Sequence, residues 1–183
     1  MSCLKEVGRY KFAGDDWAGP FRENAERHLV PMQDLEIRYL EIGVYEGRSM
    51  VWMCDNVFKH PGSTAVGVDV WADWSRYATA NWNCQFHKHR VKLMRACLAD
   101  AWRSFPLDSF DVIYIDGDHD AIPVMTDTVL AWTLLKPGGL MIWDDTDWKD
   151  VSYQVRPAVE WFLPHVHHEK LDAEKQIWIR KLL

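Results

Sequence analysis

Short runs of apolar and β-branched residues recur at 38–42, 64–70, 91–96, 110–115 and 140–143. Each is too short and too continuous for an amphipathic helix, and such runs predict strands buried on both faces. Between them lie stretches of helical length, at 47–58, 75–87 and 121–135. The last carries Ile122, Met125, Val129 and Trp132 at helical spacing, has Pro123 in its first turn and stops before "KPGG", where Pro137, Gly138 and Gly139 break the pattern. Alternating strands and helices predict βαβ units around a parallel sheet. A further helix is expected at 151–162, halted by Pro164. Two runs joined by "DAE" then predict an antiparallel pair at the end of the sheet.

The expected fold is therefore α/β, a doubly wound, Rossmann-like, mostly parallel sheet of seven strands. Helices cover both faces, and an antiparallel strand lies at the C-terminal end. Residues 37–183 form the domain. Residues 1–36 form a leading segment, with one predicted helix at 21–29, over the sheet's edge or the mouth of a site.

A chain of 183 residues with 48% hydrophobic and 26% charged residues can bury one sizeable core, so a single globular domain is expected. A net charge of −6 leaves no basic surplus for phosphates, which argues against nucleic acid and anionic membranes as partners. Cys3, Cys54, Cys84 and Cys97 stand far apart, as reduced thiols do. With no apolar leader at the N-terminus and no stretch of membrane-spanning length, the expected location is the cytoplasm. The chain has eleven tryptophans, of which Trp17, Trp71, Trp143 and Trp148 lie beside motif residues and are pocket candidates.

The chemistry concentrates where strands end. "YLEIGVYEGRSM" sets Glu41, Gly43 and Gly47 at a strand-to-helix turn, which in a doubly wound sheet lies on the ligand-binding edge. Glycines there let backbone approach a ligand, and the free N–H groups at the helix start favour an electronegative group. The spacing is not G-x-G-x-x-G, which argues against a nicotinamide-dependent oxidoreductase. The next strand ends in Asp69, placed to accept ribose hydroxyls, so the pair points to a nucleoside-containing ligand.

Together, "YLEIGVYEGRS", "VGVDVW", "FDVIYIDGDHD" and "LLKPGGLMIWDD" resemble, in order and spacing, the motifs of class I S-adenosylmethionine-dependent methyltransferases. The likeness is to the branch related to catechol and caffeoyl-CoA O-methyltransferases, and within it to small bacterial methyltransferase-domain proteins with an I-D-G-x-H motif. It covers roughly residues 36–181. The resemblance implies S-adenosylmethionine as cofactor. Glu41, Gly43 and Gly47 would shape its methionine end, Ser49 would sit near its carboxylate and Asp69 would bind its ribose. Val70 or Trp71 would flank the adenine, and the turn from Leu98 through Ala99 to Asp100 would supply polar contacts. Relatives carry a small polar residue where this chain has Leu98, so main-chain contacts are expected there.

Asp116 would end the fourth of the predicted strands, beside the sulfonium, and Asp144 and Asp145 end the fifth. Neighbouring strand tips lie about 5 Å apart, so these carboxylates can converge on a hard cation such as Mg²⁺. Catechol-type enzymes hold their metal with an acid and an Asp-Asn pair at these positions; here the pair is Asp-Asp. His119 stands where those enzymes place a catalytic lysine, and a neutral imidazole could take the proton from a hydroxyl attacking the methyl group. Asp120 is expected to cap the following helix, Asp118 has no assigned role, and His165, His167 and His168 read as surface histidines.

The expected activity is methyl transfer to a hydroxyl of a small-molecule acceptor, with sugars and secondary metabolites as candidates. The alternative is a cofactor-binding protein of the same fold without transferase activity. Asp15, Asp16, Trp17 and Trp148 are candidates for the acceptor pocket, and a homodimer is left open.

Overall fold

The five apolar runs form strands, four of them with consecutive side chains buried on both sides and the run at 91–95 as an edge strand with none fully buried. They are β3 (Arg38–Ile42), β4 (Thr64–Asp69), β5 (Val91–Arg95), β6 (Phe110–Ile115) and β7 (Leu135–Trp143). A hairpin of β1 (Leu4–Val7) and β2 (Tyr10–Ala13) precedes them, and β8 (His168–Asp172) and β9 (Ile177–Lys181) follow. The structure, a computed structural model, describes residues 4–13, 16, 18–148 and 153–183. Trp17 and Asp15 lie outside the described residues, as does the predicted start of the last helix at 151.

The main sheet has seven strands in the order β5-β4-β3-β6-β7-β9-β8. All neighbours from β5 to β7 pair in parallel, while β9 runs antiparallel to both β7 and β8. The doubly wound architecture read from the sequence is thus present, with β9 as the reversed strand.

One face packs against α1 (Gly19–His28) and α2 (Arg48–Asn56), joined by Cys84 of α3 (Trp74–Cys84). Phe21, Met50 and Met53 meet Tyr39, Tyr114 and Trp178 in that core. The opposite face packs against α4 (Leu98–Ala101), α5 (Ala121–Leu134) and α6 (Val155–Phe162), whose Leu98, Val124 and Val159 meet Leu40, Ile113 and Trp143.

The helix announced by Ile122, Met125, Val129 and Trp132 is present as α5, although none of those four is fully buried. Val124, Thr128, Ala131 and Leu134 are buried, whereas Ile122 is 80% exposed. The helix is apolar nearly all round, so its period alone does not choose a face. The capping role expected of Asp120 is corrected: it occupies the N-cap position without a side-chain capping bond, and Pro123 at the third helical position removes one of the two N–H groups such a cap uses. Asp118 Oδ1 instead accepts from the Asp120 N–H at 2.9 Å.

The "KPGG" breaker is also present as a bulge. Phe110 pairs with Leu135 and Val112 with Leu140, so residues 136–139 loop out of the ladder.

Candidate active site

Two turns meet at the carboxyl edge where the chain's path through the sheet diverges, between β3 and β6, the usual place for a ligand crevice. Gly43, at φ +86, is there for contact as well as conformation. A Cβ on it would lie 2.0 Å from the Asp116 carbonyl oxygen, so only glycine lets the two loops touch. Gly47, at φ +78, is the N-cap of α2.

Alternation along the strands assembles a polar column on the sheet face toward α2. Glu41 is fully buried and accepts hydrogen bonds from the Tyr39 hydroxyl at 2.9 Å and the Ser49 hydroxyl at 2.5 Å. Burial, opposed by those two bonds, pushes its carboxyl up to about 8. Asp69 braces the first loop: Oδ2 accepts from the Val44 and Tyr45 N–H groups, each at 2.8 Å, and Oδ1 from Trp71 N–H at 2.7 Å.

Asp69 also lines a cavity of about 660 Å³, a size that suits a small-molecule cofactor. Around it stand Gly43, Val70, Leu98 and Ala99 from the expected set, and Asp116 and His119 at its inner end. A smaller cavity of about 120 Å³ lies beyond, lined by Ser49, Arg48, Tyr114, Asp144 and Asp145, with Ala13 and Ala18 of the leading segment on its wall. Asp116 and Tyr45 line both cavities, so the two are adjacent there.

Between the cavities, ligand atoms of Asp116, His119 and Asp145 all lie within 4.8 Å of one another. His119 Nε2 is 2.9 Å from Asp145 Oδ2, and this contact raises the imidazole pKa against the lowering effect of burial. Asp116 is held well above the usual carboxylate range by burial first, then by Asp144, Asp145 and Glu41. Asp144 is turned to a different set of partners. It accepts from the Tyr114 hydroxyl, from Gln176 Nε2 at 3.0 Å and from the Asp145 N–H at 2.9 Å. Successive residues of a strand point to opposite sides, and Asp145 leaves the strand with φ 52, which separates the two carboxylates. Two carboxylates and an imidazole within reach of one another are a donor set that suits a divalent ion.

An aromatic wall flanks the cluster. Trp148 and Tyr153 stack at 4.4 Å and 15°, Tyr153 lies 4.7 Å from the His119 ring, and the Trp148 indole N–H donates to Asp145 Oδ1 at 2.7 Å. The Gln154 N–H also donates to the His119 carbonyl, tying this segment to the motif loop.

Trp71 is placed differently from its expected position beside the adenine. Its left-handed backbone, φ 37, turns the side chain under the loop, where it is 2% exposed and its indole N–H donates to the Tyr45 carbonyl. Trp143 is buried on Thr128. Gly47 and Glu41 support the loop from behind the cavity wall. His165 and His168 bind main-chain carbonyls of their own segment and join no metal-like cluster among the described residues.

Several site residues escaped the sequence reading: Tyr45, Glu46, Tyr114, Tyr153, Gln176 and Asp127. Tyr114 was within reach, since it lies two residues before Asp116 and must share its face. Gln176 was not, because it meets Asp144 only through the β7–β9 register.

Comparison with known proteins bears on the family and the fold. The sequence profile described as "Methyltransferase domain" matches residues 40–146. Protein R132 of Acanthamoeba polyphaga mimivirus, itself uncharacterized, is 26% identical over 148 residues. That match covers 76% of this chain and 65% of the relative, so the chain spans just under two thirds of its length. Among solved structures, an O-methyltransferase from Bacillus cereus in complex with SAH superposes with a TM-score of 0.70 at 18% identity, covering 92% of this chain and 83% of that one. TomG from Streptomyces achromogenes, an O-methyltransferase of tomaymycin synthesis in complex with SAM, gives 0.69 at 17% identity, covering 91% and 81%. A putative rRNA methylase from Clostridium thermocellum gives 0.69 at 14%, covering 88% and 97%.

Proposed function

Because the chain belongs to the methyltransferase-domain family, the class I methyltransferases that use S-adenosylmethionine, we propose that it moves the cofactor's methyl group to a hydroxyl of a small molecule. The observation that carries this reading is the placing of Asp116, with His119 and Asp145 beside it, where the two cavities meet. Adenosine occupies the larger cavity. Asp69 Oδ1, which has one N–H donor and a spare lone pair, takes a ribose hydroxyl. The methionine tail runs over Gly43 toward Ser49 and the positive charge of Arg48, which sets the sulfonium above Asp116.

The acceptor enters past Trp148 and Tyr153. Its hydroxyl oxygen attacks the methyl carbon, the carbon–sulfur bond breaks, and S-adenosylhomocysteine leaves with the electron pair on sulfur. The hydroxyl proton passes to His119. With Nε2 held by Asp145, Nδ1 is the nitrogen left to accept it, and the Asp145 carboxylate stabilises the imidazolium. Asp116 and Asp145, with Asp144 adjacent, would hold Mg²⁺, which when bound lowers the pKa of a coordinated hydroxyl and fixes its position. The remaining contribution is alignment and exclusion of water.

A second reading makes His119 the third metal ligand, and the 4.8 Å cluster favours it. The experiment is titration of wild type and His119→Ala with S-adenosylhomocysteine and with Mg²⁺, alongside methyl transfer to a panel of hydroxylated acceptors. A base gives unchanged affinity for both and turnover reduced at least about 100-fold. Loss of metal affinity makes His119 a ligand. Cofactor binding by wild type without transfer to any acceptor supports the alternative of a binding protein, and no cofactor binding at millimolar concentration would sink the proposal.

A further inference from the structure

The turn after β5 offers the larger cavity main-chain contacts, as expected: Leu98 and Ala99 have no polar side chain, and Asp100 is engaged by the Cys97 thiol at 3.1 Å. Other polar side chains on this wall already have partners. Asp69 holds three N–H groups, Asp118 holds the Asp120 N–H, and the Thr126 hydroxyl donates to the Ile122 carbonyl. Asp127 is the exception. It is half-buried on the cavity face of α5, one turn beyond Pro123, with Oδ2 beside Gly117. Its carboxylate has no hydrogen-bond partner among the described residues, and burial, with the Asp118 charge second, pushes it up to about 6.

A half-buried acceptor without a donor, on the wall of a ligand cavity, is a costly feature unless a ligand supplies the donor. The adenine ring presents one such donor pair, its exocyclic amine, and α4 and α5, which pack against each other, both line this cavity. We propose that Asp127 is the specificity-determining residue for the adenine base, accepting from its exocyclic amine in place of the polar side chain that Leu98 and Ala99 do not provide. This rests on the cofactor reading above. The contact comes from the helix after β6 instead of the turn after β5, so a base with a carbonyl at that position meets a carboxylate and is rejected.

The test compares S-adenosylhomocysteine with S-inosylhomocysteine, in which a carbonyl replaces the amine, by calorimetric titration of wild type, Asp127→Ala and Asp127→Asn. Wild type should prefer the adenosyl ligand by about tenfold or more. Asp127→Ala should bind it about tenfold more weakly and lose the preference, while Asp127→Asn, whose amide can both accept and donate, should gain affinity for the inosyl ligand. Equal weakening of both ligands in Asp127→Ala, or an unchanged preference in both variants, overturns the proposal. Failure of wild type to bind either ligand would instead defeat the cofactor reading, and unfolding curves of the three proteins separate lost contact from lost fold.

Discussion

Glu41 sets a carboxyl group in the middle of a sheet, with two hydroxyl donors and no cation. Its folded pKa of about 8 lies above the ordinary value of 4.5. A folded state that binds its proton more tightly than the unfolded chain gains stability at low pH. That contribution is full below about 4.5 and is lost as pH rises through about 8. Relative to wild type, Glu41→Gln should therefore lose little at about pH 5 and become the more stable protein by about pH 9, a relative change on the order of a few kcal/mol. Thermal unfolding of both proteins across that range checks it, and parallel Tm curves would show that Glu41 is ionised throughout. The site therefore carries a stability cost at its floor, of the kind that binding of a cationic cofactor offsets.

At the scale of elements, the leading hairpin is fastened to the loop at 43–47 by two side chains. Asn83 of α3 accepts from the Lys11 N–H and donates to the Lys11 carbonyl, both at 2.8 Å, and also donates to the Glu46 carbonyl at 2.9 Å. Glu46 adds a second tie, taking the Ala13 N–H at 2.7 Å while Arg76 holds its other oxygen. Asn83→Ala removes the first tie at a cost of about 2 kcal/mol, concentrated in local opening of the hairpin. Amide exchange within residues 4–13 should accelerate, and affinity for S-adenosylhomocysteine should fall a few-fold, because Ala13 walls the smaller cavity. Unchanged exchange in the hairpin would show that Glu46 and packing suffice. None of this was legible in the sequence, where a leading segment could be recognised but not what it docks on, because Asn83 and Lys11 are 72 residues apart. The strands at 38–42 and 110–115 were legible to the residue, since burial on both faces leaves a mostly apolar run, broken by Glu41 in the one and Asp111 in the other, with a polar residue just beyond 115. The site followed the same logic up to a limit. Strand ends named Asp69, Asp116 and Asp145, but which way Asp144 and Trp71 point depends on left-handed backbone at Asp145 and Trp71, and neither position carries a glycine to announce it.

For the whole molecule, the fold is shared with an O-methyltransferase involved in tomaymycin synthesis and with a protein described as a putative rRNA methylase, so the class of acceptor has to be argued from charge. A protein that neutralises several phosphates gains affinity by releasing counterions, and does so with clustered Lys and Arg. Here Asp and Glu outnumber Lys and Arg by 27 to 21. Of the cationic side chains near the site among the described residues, Arg76 is paired with Glu46, while Arg48 over the Phe12 ring at 4.0 Å and Arg95 over the Trp74 ring at 4.1 Å keep their charge. The mouth between them carries Asp118 and Asp145 and the Trp148–Tyr153 stack. On this charge balance we propose a neutral or planar acceptor and not a polyanion. Ribosomal RNA fragments should therefore show no retention by the protein even at about 50 mM salt, where phosphate contacts are strongest, and should take up no methyl label. Retention that falls steeply between about 50 and 200 mM salt would mean that a basic surface has been overlooked, and would move the acceptor from small molecules to RNA.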